Sequence, residues 1–207
     1  MTVAAATLLA LVEQLRERDW ALSATALPAA WITDLAHEIQ AYVAAGQFSR
    51  PGIGYGRHEE VSQDLRGDLV LPLDVEHLPP AASRYFQVLA ALRDMINQRL
   101  FWELSGIEAH YSLYLPGAGY RKHLDCLTQN HARGLSCLLY LNSDWQPVDG
   151  GLLRLYHPEG YHEITPQAGN WLIFRSDRIY HEVLPTQAPR LSLAAWLHRP
   201  RPRLGLD

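Results

Sequence analysis

Cysteine is scarce in this chain: two residues in 207, Cys126 and Cys137. They form no CxxC pair and are too few for a disulfide framework, so a reducing cytoplasm is the expected compartment. An excess of positive charge is also missing. Eighteen Lys and Arg stand against 22 Asp and Glu, a net charge of −4 with ten histidines neutral. This gives no long-range attraction to nucleic acid or to an anionic membrane surface. No apolar run approaches the roughly 20 residues of a membrane-spanning helix. Repeats and low-complexity tracts are absent. The opening "MTVAAATLLALVEQLRERDW" lacks a basic leader, and Glu13, Arg16, Glu17, Arg18 and Asp19 break its apolar run. It therefore reads as an amphipathic helix with a Leu8, Leu9, Val12, Leu15 stripe rather than as a signal peptide. What the chain does have is hydrophobic content, 48% against 19% charged, enough to bury a full core.

The texture divides near residue 105. Residues 1–105 read as mainly helical: one helix over about 5–19, a short strand within 21–27, and a second helix opened by Pro28 and stopped by Gly46. A third helix spans 79–104, with Tyr85, Leu89, Leu92, Ile96 and Leu100 at helical spacing. The glycine-rich tract 47–68 has no sustained period and is expected to be a mobile loop. From 106 to 200 the runs "IEAHYSLYL", "LSCLLYLN", "GGLLRLYH", "NWLIFR" and "RLSLAAWLH" are short, apolar and separated by Gly, Pro, Asn and Asp. That pattern predicts many short antiparallel strands. The expected fold is α+β: a double-stranded β-helix core of jelly-roll or cupin type, with the N-terminal helices packed on one outer face. No linker separates the two parts, so residues 1–207 are read as one domain.

Within "YRKHLDCLTQN", His123 and Asp125 lie two apart, which on a strand puts both side chains on one face. His181, in "RIYHEVLP", is the third candidate ligand. Two imidazoles and one carboxylate on one face of an octahedron leave three positions open, the arrangement that favours non-haem Fe(II) for O2 activation. His37, His58, His77, His131, His157, His162 and His198 lack such partners and read as solvated or hydrogen-bonded. An oxygenase of this type needs an electron donor, often a 2-oxoacid whose distal carboxylate requires a held cation. Arg190, nine residues beyond His181 at the start of an apolar strand, offers a bidentate fork. Ser192 shares its face and offers a hydroxyl donor.

The runs "YLPGAGYRKHLD", "GLSCLLYLNSDW", "DGGLLRLY" and "HEVLPTQAPRLSLAAW", in this order, resemble the Fe(II)/2-oxoglutarate-dependent prolyl hydroxylases. The similarity covers about 62–198, includes "DLRGD" at 64–68, and is nearest to the Egl-nine type and its bacterial relatives. The resemblance implies His123, Asp125 and His181 as iron ligands and Arg190 as the partner of the 2-oxoglutarate C5 carboxylate. It implies that Tyr140 reaches the same carboxylate, and that Leu153 and Trp196 form apolar pocket walls. It also implies an Arg133–Asp68 pair tying the barrel to the loop near 50–68. One departure stands out. The family's tyrosine before the Pro-Gly turn faces the iron site, whereas here Tyr114 is separated from Pro116 by Leu115, and the turn is shorter than in animal members.

The activity so implied is hydroxylation of a prolyl residue in a protein substrate, coupled to conversion of 2-oxoglutarate and O2 to succinate and CO2. Ascorbate is a candidate reductant, and a translation elongation factor is a candidate target. The loop 47–68 is expected to fold over that target. Nucleic-acid demethylases of this superfamily carry a second arginine six positions beyond the first; Trp196 stands there, and no nucleic-acid or membrane partner is expected. Two alternatives are hydroxylation of a free amino acid or small peptide, and a cupin-like metal-binding protein without turnover. A hydrolytic zinc site lacks an evident general base.

Overall fold

The computed structural model describes residues 3–51, 66–126 and 132–200. In chain order it contains α1 (Ala5–Arg18), β1 (Trp20–Ser23), α2 (Ala29–Ala44), β2 (Asp68–Pro72), α3 (Pro80–Leu100), β3 (Ile107–Tyr114), β4 (Tyr120–His123) and β5 (Arg133–Tyr140). There follow β6 (Leu153–His157), β7 (Gly160–Ile164), β8 (Trp171–Arg175), β9 (His181–Val183) and β10 (Arg190–His198). Much of the expected loop 47–68 lies outside the described residues, as do His58 and His131.

Each helix ends where its chemistry changes. α3 stops four residues before the expected boundary because Phe101 turns left-handed (φ 56°) and its N–H returns to the Asn97 carbonyl. The Asn97 side chain then bonds both the N–H and the C=O of Leu104, locking the exit. α1 ends in the same way at Asp19 (φ 63°), which turns the chain directly into β1.

The strands form two antiparallel sheets. The larger has the order β1-β8-β5-β10-β3-β2 and the smaller β4-β9-β6-β7. From β3 onward the chain crosses repeatedly between the two, which is the winding of a double-stranded β-helix. β2 was not anticipated from the sequence. It is a short edge strand paired with β3 and terminated by Pro72, a residue that an edge tolerates.

Alternation along the larger sheet separates two interiors. Leu135, Cys137 and Leu139 of β5 and Leu191, Leu193, Ala195 and Leu197 of β10 face outward, against Leu11, Leu15, Leu35, Ile39, Leu89 and Leu92 of the helices. Each fully buried leucine contributes on the order of 1.5–3 kcal/mol, so this layer supplies much of the fold's stability. Tyr114, Tyr140, Leu172 and Phe174 point the other way, between the sheets, against Leu153, Leu155 and Val183. No described helix is long and apolar enough to cross a membrane.

Candidate metal centre and co-substrate cavity

The space between the sheets opens as a cavity of about 230 Å³. β4 and β9 pair so that His123 stands opposite His181. Asp125 lies beyond the end of β4, contrary to the single-strand reading of His-x-Asp, and Leu124 lines the cavity as well. The three ligand atoms nevertheless converge. Asp125 Oδ1 is 3.5 Å from His123 Nε2 and 3.7 Å from His181 Nε2, and all three donors lie within 4.8 Å of one another. Among the described residues this is the one such cluster of three.

Each ring is oriented from behind. His123 Nδ1 lies 2.8 Å from the Arg121 carbonyl and His181 Nδ1 3.2 Å from the Ile179 carbonyl. A carbonyl only accepts, so Nδ1 carries the proton in both rings and Nε2 presents a lone pair to the centre. Tyr120 stacks on His123 (centroids 3.6 Å apart, planes 15° apart), and Phe174 meets the edge of His181. The register irregularity between Tyr120 and His123 lets these residues, three apart, share a face. Burial alone would raise the Asp125 pKa, but His181 and His123 outweigh it and hold the carboxyl well below the usual range. Burial pushes His181 down to about 4, against the pull of Asp125. An ionised carboxylate, and imidazoles that turn Nε2 toward it, are what a divalent ion requires of its ligands.

Arg190 closes the far side. It is 2% exposed, and its Nε donates to the Gly151 carbonyl at 2.9 Å. Its guanidinium lies between the rings of Tyr114 and Tyr140, 5.1 and 5.0 Å from their centroids. Arg190 Nη2, Tyr140 Oη and Trp196 Nε1 are buried yet have no hydrogen-bond partner. A buried donor left unpaired costs about 1–3 kcal/mol. Two such donors side by side, one cationic, suit a carboxylate in the cavity. The donor set at the triad suits Fe(II), and the orphaned pair suits the distal end of 2-oxoglutarate. Ser192 and Leu153 are buried on the same wall. Tyr114 is buried beside Arg190, while Leu115 is half exposed.

The expected Arg133–Asp68 pair is replaced by two others. Asp68 accepts both arms of Arg66, at 2.6 and 3.0 Å. Arg133 donates to Glu108 at 2.5 Å and lies 3.7 Å over the Trp196 ring. The reason is register: Glu108 pairs with Trp196 across β3 and β10, and Arg133 pairs with His198 across β5 and β10. These pairings bring Glu108 next to both Arg133 and His198. Burial would raise Glu108, but His198 and Arg133 outweigh it and bring its pKa down to about 2. His110, which the sequence reading passed over, lines the cavity 5.1 Å from the Trp196 ring. Its signal was present: His110, Ser112 and Tyr114 alternate along "AHYSLY". Arg66 was also missed.

Known proteins are similar to this chain in sequence and fold. The model of the 2OG-Fe(II) oxygenase superfamily matches residues 109–198. The chain is 30% identical over 172 residues to Egl nine homolog 1 of Rattus norvegicus, covering 77% of this chain and 49% of that protein. It thus spans about half the length of that relative. The structure of a Pseudomonas putida prolyl-4-hydroxylase superposes with a TM-score of 0.84 at 37% identity, over 94% of this chain and all of that one. A Trichoplax adhaerens prolyl hydroxylase, solved with a hypoxia inducible factor peptide fragment, superposes with a TM-score of 0.82 at 26% identity, over 92% and 88% of the two chains.

Proposed function

The chain belongs to the Egl-nine-like prolyl hydroxylases of the 2-oxoglutarate- and Fe(II)-dependent oxygenase superfamily, and from that premise we propose that it hydroxylates a prolyl residue in a protein substrate. The observation that carries this reading is one cavity lined by both the His123–Asp125–His181 triad and Arg190, whose buried Nη2 lacks a hydrogen-bond partner and whose guanidinium lies against Tyr140. A metal-binding protein without turnover has no use for that second feature.

His123, Asp125 and His181 would hold Fe(II). Arg190 and Tyr140 would bind the C5 carboxylate of 2-oxoglutarate, with Ser192 as a further hydroxyl on the same face. When bound, the ion and its co-substrate supply O2 activation coupled to release of succinate and CO2. The protein's own part is orientation and exclusion of water. Leu153 and Trp196 wall the pocket, and Tyr114 keeps Arg190 in line by stacking on its guanidinium. Arg133 positions Trp196 by lying 3.7 Å over its ring. Asp68, locked to Arg66, anchors the chain where the 47–68 tract rejoins the sheet.

The Trichoplax relative holds a peptide of a protein substrate; a proline-bearing protein is accordingly the substrate class proposed here, with a translation elongation factor as one candidate. The test compares the host proteome with and without the gene by mass spectrometry. The expected result is a proline that carries one additional oxygen atom only when the gene is present. Complete coverage of proline peptides with no such shift, alongside uncoupled 2-oxoglutarate turnover, would transfer the reading to a free amino acid or small peptide.

A further inference from the structure

Of the three candidate ligands, Asp125 is the one that no strand holds. His123 and His181 take their order from the β4–β9 ladder, whereas Asp125 sits two residues past the end of β4. Its carboxylate is nevertheless aimed. Oδ2 accepts a hydrogen bond from Ser136 Oγ at 2.6 Å, and Ser136 Oγ lies 2.8 Å from Ser176 Oγ. Chemistry orders the protons in this chain. The ionised carboxylate only accepts, so Ser136 must donate to it. Its one hydrogen spent, Ser136 can only accept from Ser176. Both serines are fully buried. Ser136 sits within β5, and Ser176 follows β8 directly. The Ser176 carbonyl also accepts the Cys126 N–H at 3.1 Å, so the segment carrying Asp125 is tied to Ser176 through backbone as well.

We infer that Ser136 and Ser176 form a positioning relay that commits Asp125 to bind the metal through one oxygen. The inference rests on the metal-centre reading above. With Oδ2 held by the serine chain, Oδ1 alone faces the two imidazole nitrogens. A one-oxygen carboxylate leaves three octahedral positions open, the number that a chelating co-substrate and O2 require together. Neither serine lines the metal-facing side of the triad, so both act through Asp125.

The test is Mn(II) titration followed by electron paramagnetic resonance, on the intact chain without co-substrate. Ser136→Ala should weaken Mn(II) binding by about 10- to 100-fold, the range for lost outer partners of metal ligands. Ser176→Ala should weaken it less, and Ser136→Thr should restore it to near the wild-type value. Cys137→Ala, one residue along on the opposite face of β5, is the control. It should lower the melting temperature and leave Mn(II) binding unchanged. Wild-type affinity in both serine-to-alanine variants, or equal weakening in Cys137→Ala, would overturn the relay. If Ser136→Ala does not fold, Ser176→Ala decides the matter by the same readout. No Mn(II) binding by the wild-type chain would overturn the metal centre itself, a result visible before any variant is made.

Discussion

The two faces of the larger sheet use the same strands for opposite ends. On the helix side, β5 and β10 present Leu135, Cys137, Leu139, Leu193, Ala195 and Leu197, all buried and apolar. One residue along, the side between the sheets presents Ser136, Tyr140, Arg190, Ser192 and Trp196; of these Arg190, Ser192 and Trp196 line the cavity, and Tyr140, Arg190 and Trp196 carry buried polar atoms without a hydrogen bond. The first face is filled almost wholly by apolar packing, and its two polar atoms buried without a hydrogen bond, Tyr85 Oη and Trp171 Nε1, belong to rings packed edge to face. The second is left incomplete, and the incompleteness is specific: a cation and a hydroxyl with no anion between them. Stability and ligand recognition are thus separated by a single-residue step along the backbone.

Substitutions on the two faces should therefore produce opposite phenotypes. The largest effect on stability is expected for Leu139→Ala, which removes buried methyl groups against the helices. Its cost should be about 2–5 kcal/mol of unfolding free energy, read by urea denaturation, with 2-oxoglutarate affinity unchanged in the folded fraction. Arg190→Met should invert this. It deletes a buried cation with one unpaired nitrogen, Nη2, together with the Nε bond to the Gly151 carbonyl, so stability should change little. Binding of 2-oxoglutarate to the Mn(II)-loaded protein, measured by calorimetry, should weaken by roughly 2–5 kcal/mol, as expected when one partner of a buried charge pair is lost. If Arg190→Met binds 2-oxoglutarate as the wild type does, the cavity face has been misread.

The same division decides what was legible in the sequence. His123, Asp125, His181 and Arg190 could be found because their chemistry is distinctive and their order along the chain matches a known pattern. The helices were legible because Tyr85, Leu89, Leu92 and Ile96 repeat at 3.6. Contacts that depend on register were not. Arg133 reaches Glu108 because β3, β5 and β10 align as they do, and no local pattern encodes that alignment. Asp125 leaves its strand for a related reason: its hold comes from serines 11 and 51 residues further along the chain, not from the ladder. β2 escaped because five residues ending in Pro72 carry too little alternation to stand out from loop.

His110 lies on the cavity face and gives the comparison a pH dependence. Burial pushes its pKa from 6.5 down to about 4, with Arg66 and Arg133 acting in the same direction and Asp68 and Glu108 against it. A pKa lower in the folded than in the unfolded chain means that the unfolded chain takes up the proton first. Stability from this group is complete above about pH 6.5 and is lost as pH falls toward 4, at up to roughly 1.4 kcal/mol per pH unit. His181 acts with the same sign in the metal-free protein. His110→Leu should leave the His181 share and flatten the decline in urea midpoint between pH 7 and pH 5. Parallel declines in the two proteins would show that His110 ionises freely in the fold.

The smallest effect belongs to Tyr140→Phe, and it is the sharpest probe of the cavity face because it removes one oxygen and nothing else. In the ligand-free protein that oxygen is buried without a well-formed hydrogen bond, and burial raises its pKa to about 12 against both the charge and the side-chain contact of Arg190. The hydroxyl is thus a neutral donor at any physiological pH. Deleting an unsatisfied donor should not destabilise the fold, so the melting temperature should stay the same or rise. With 2-oxoglutarate bound, the same hydroxyl gains an acceptor, and its loss should cost about 0.5–1.5 kcal/mol of affinity. A hydroxyl that only filled space would give neither half of this signature. A fall in melting temperature with unchanged affinity would move Tyr140 from the cavity face to the structural one.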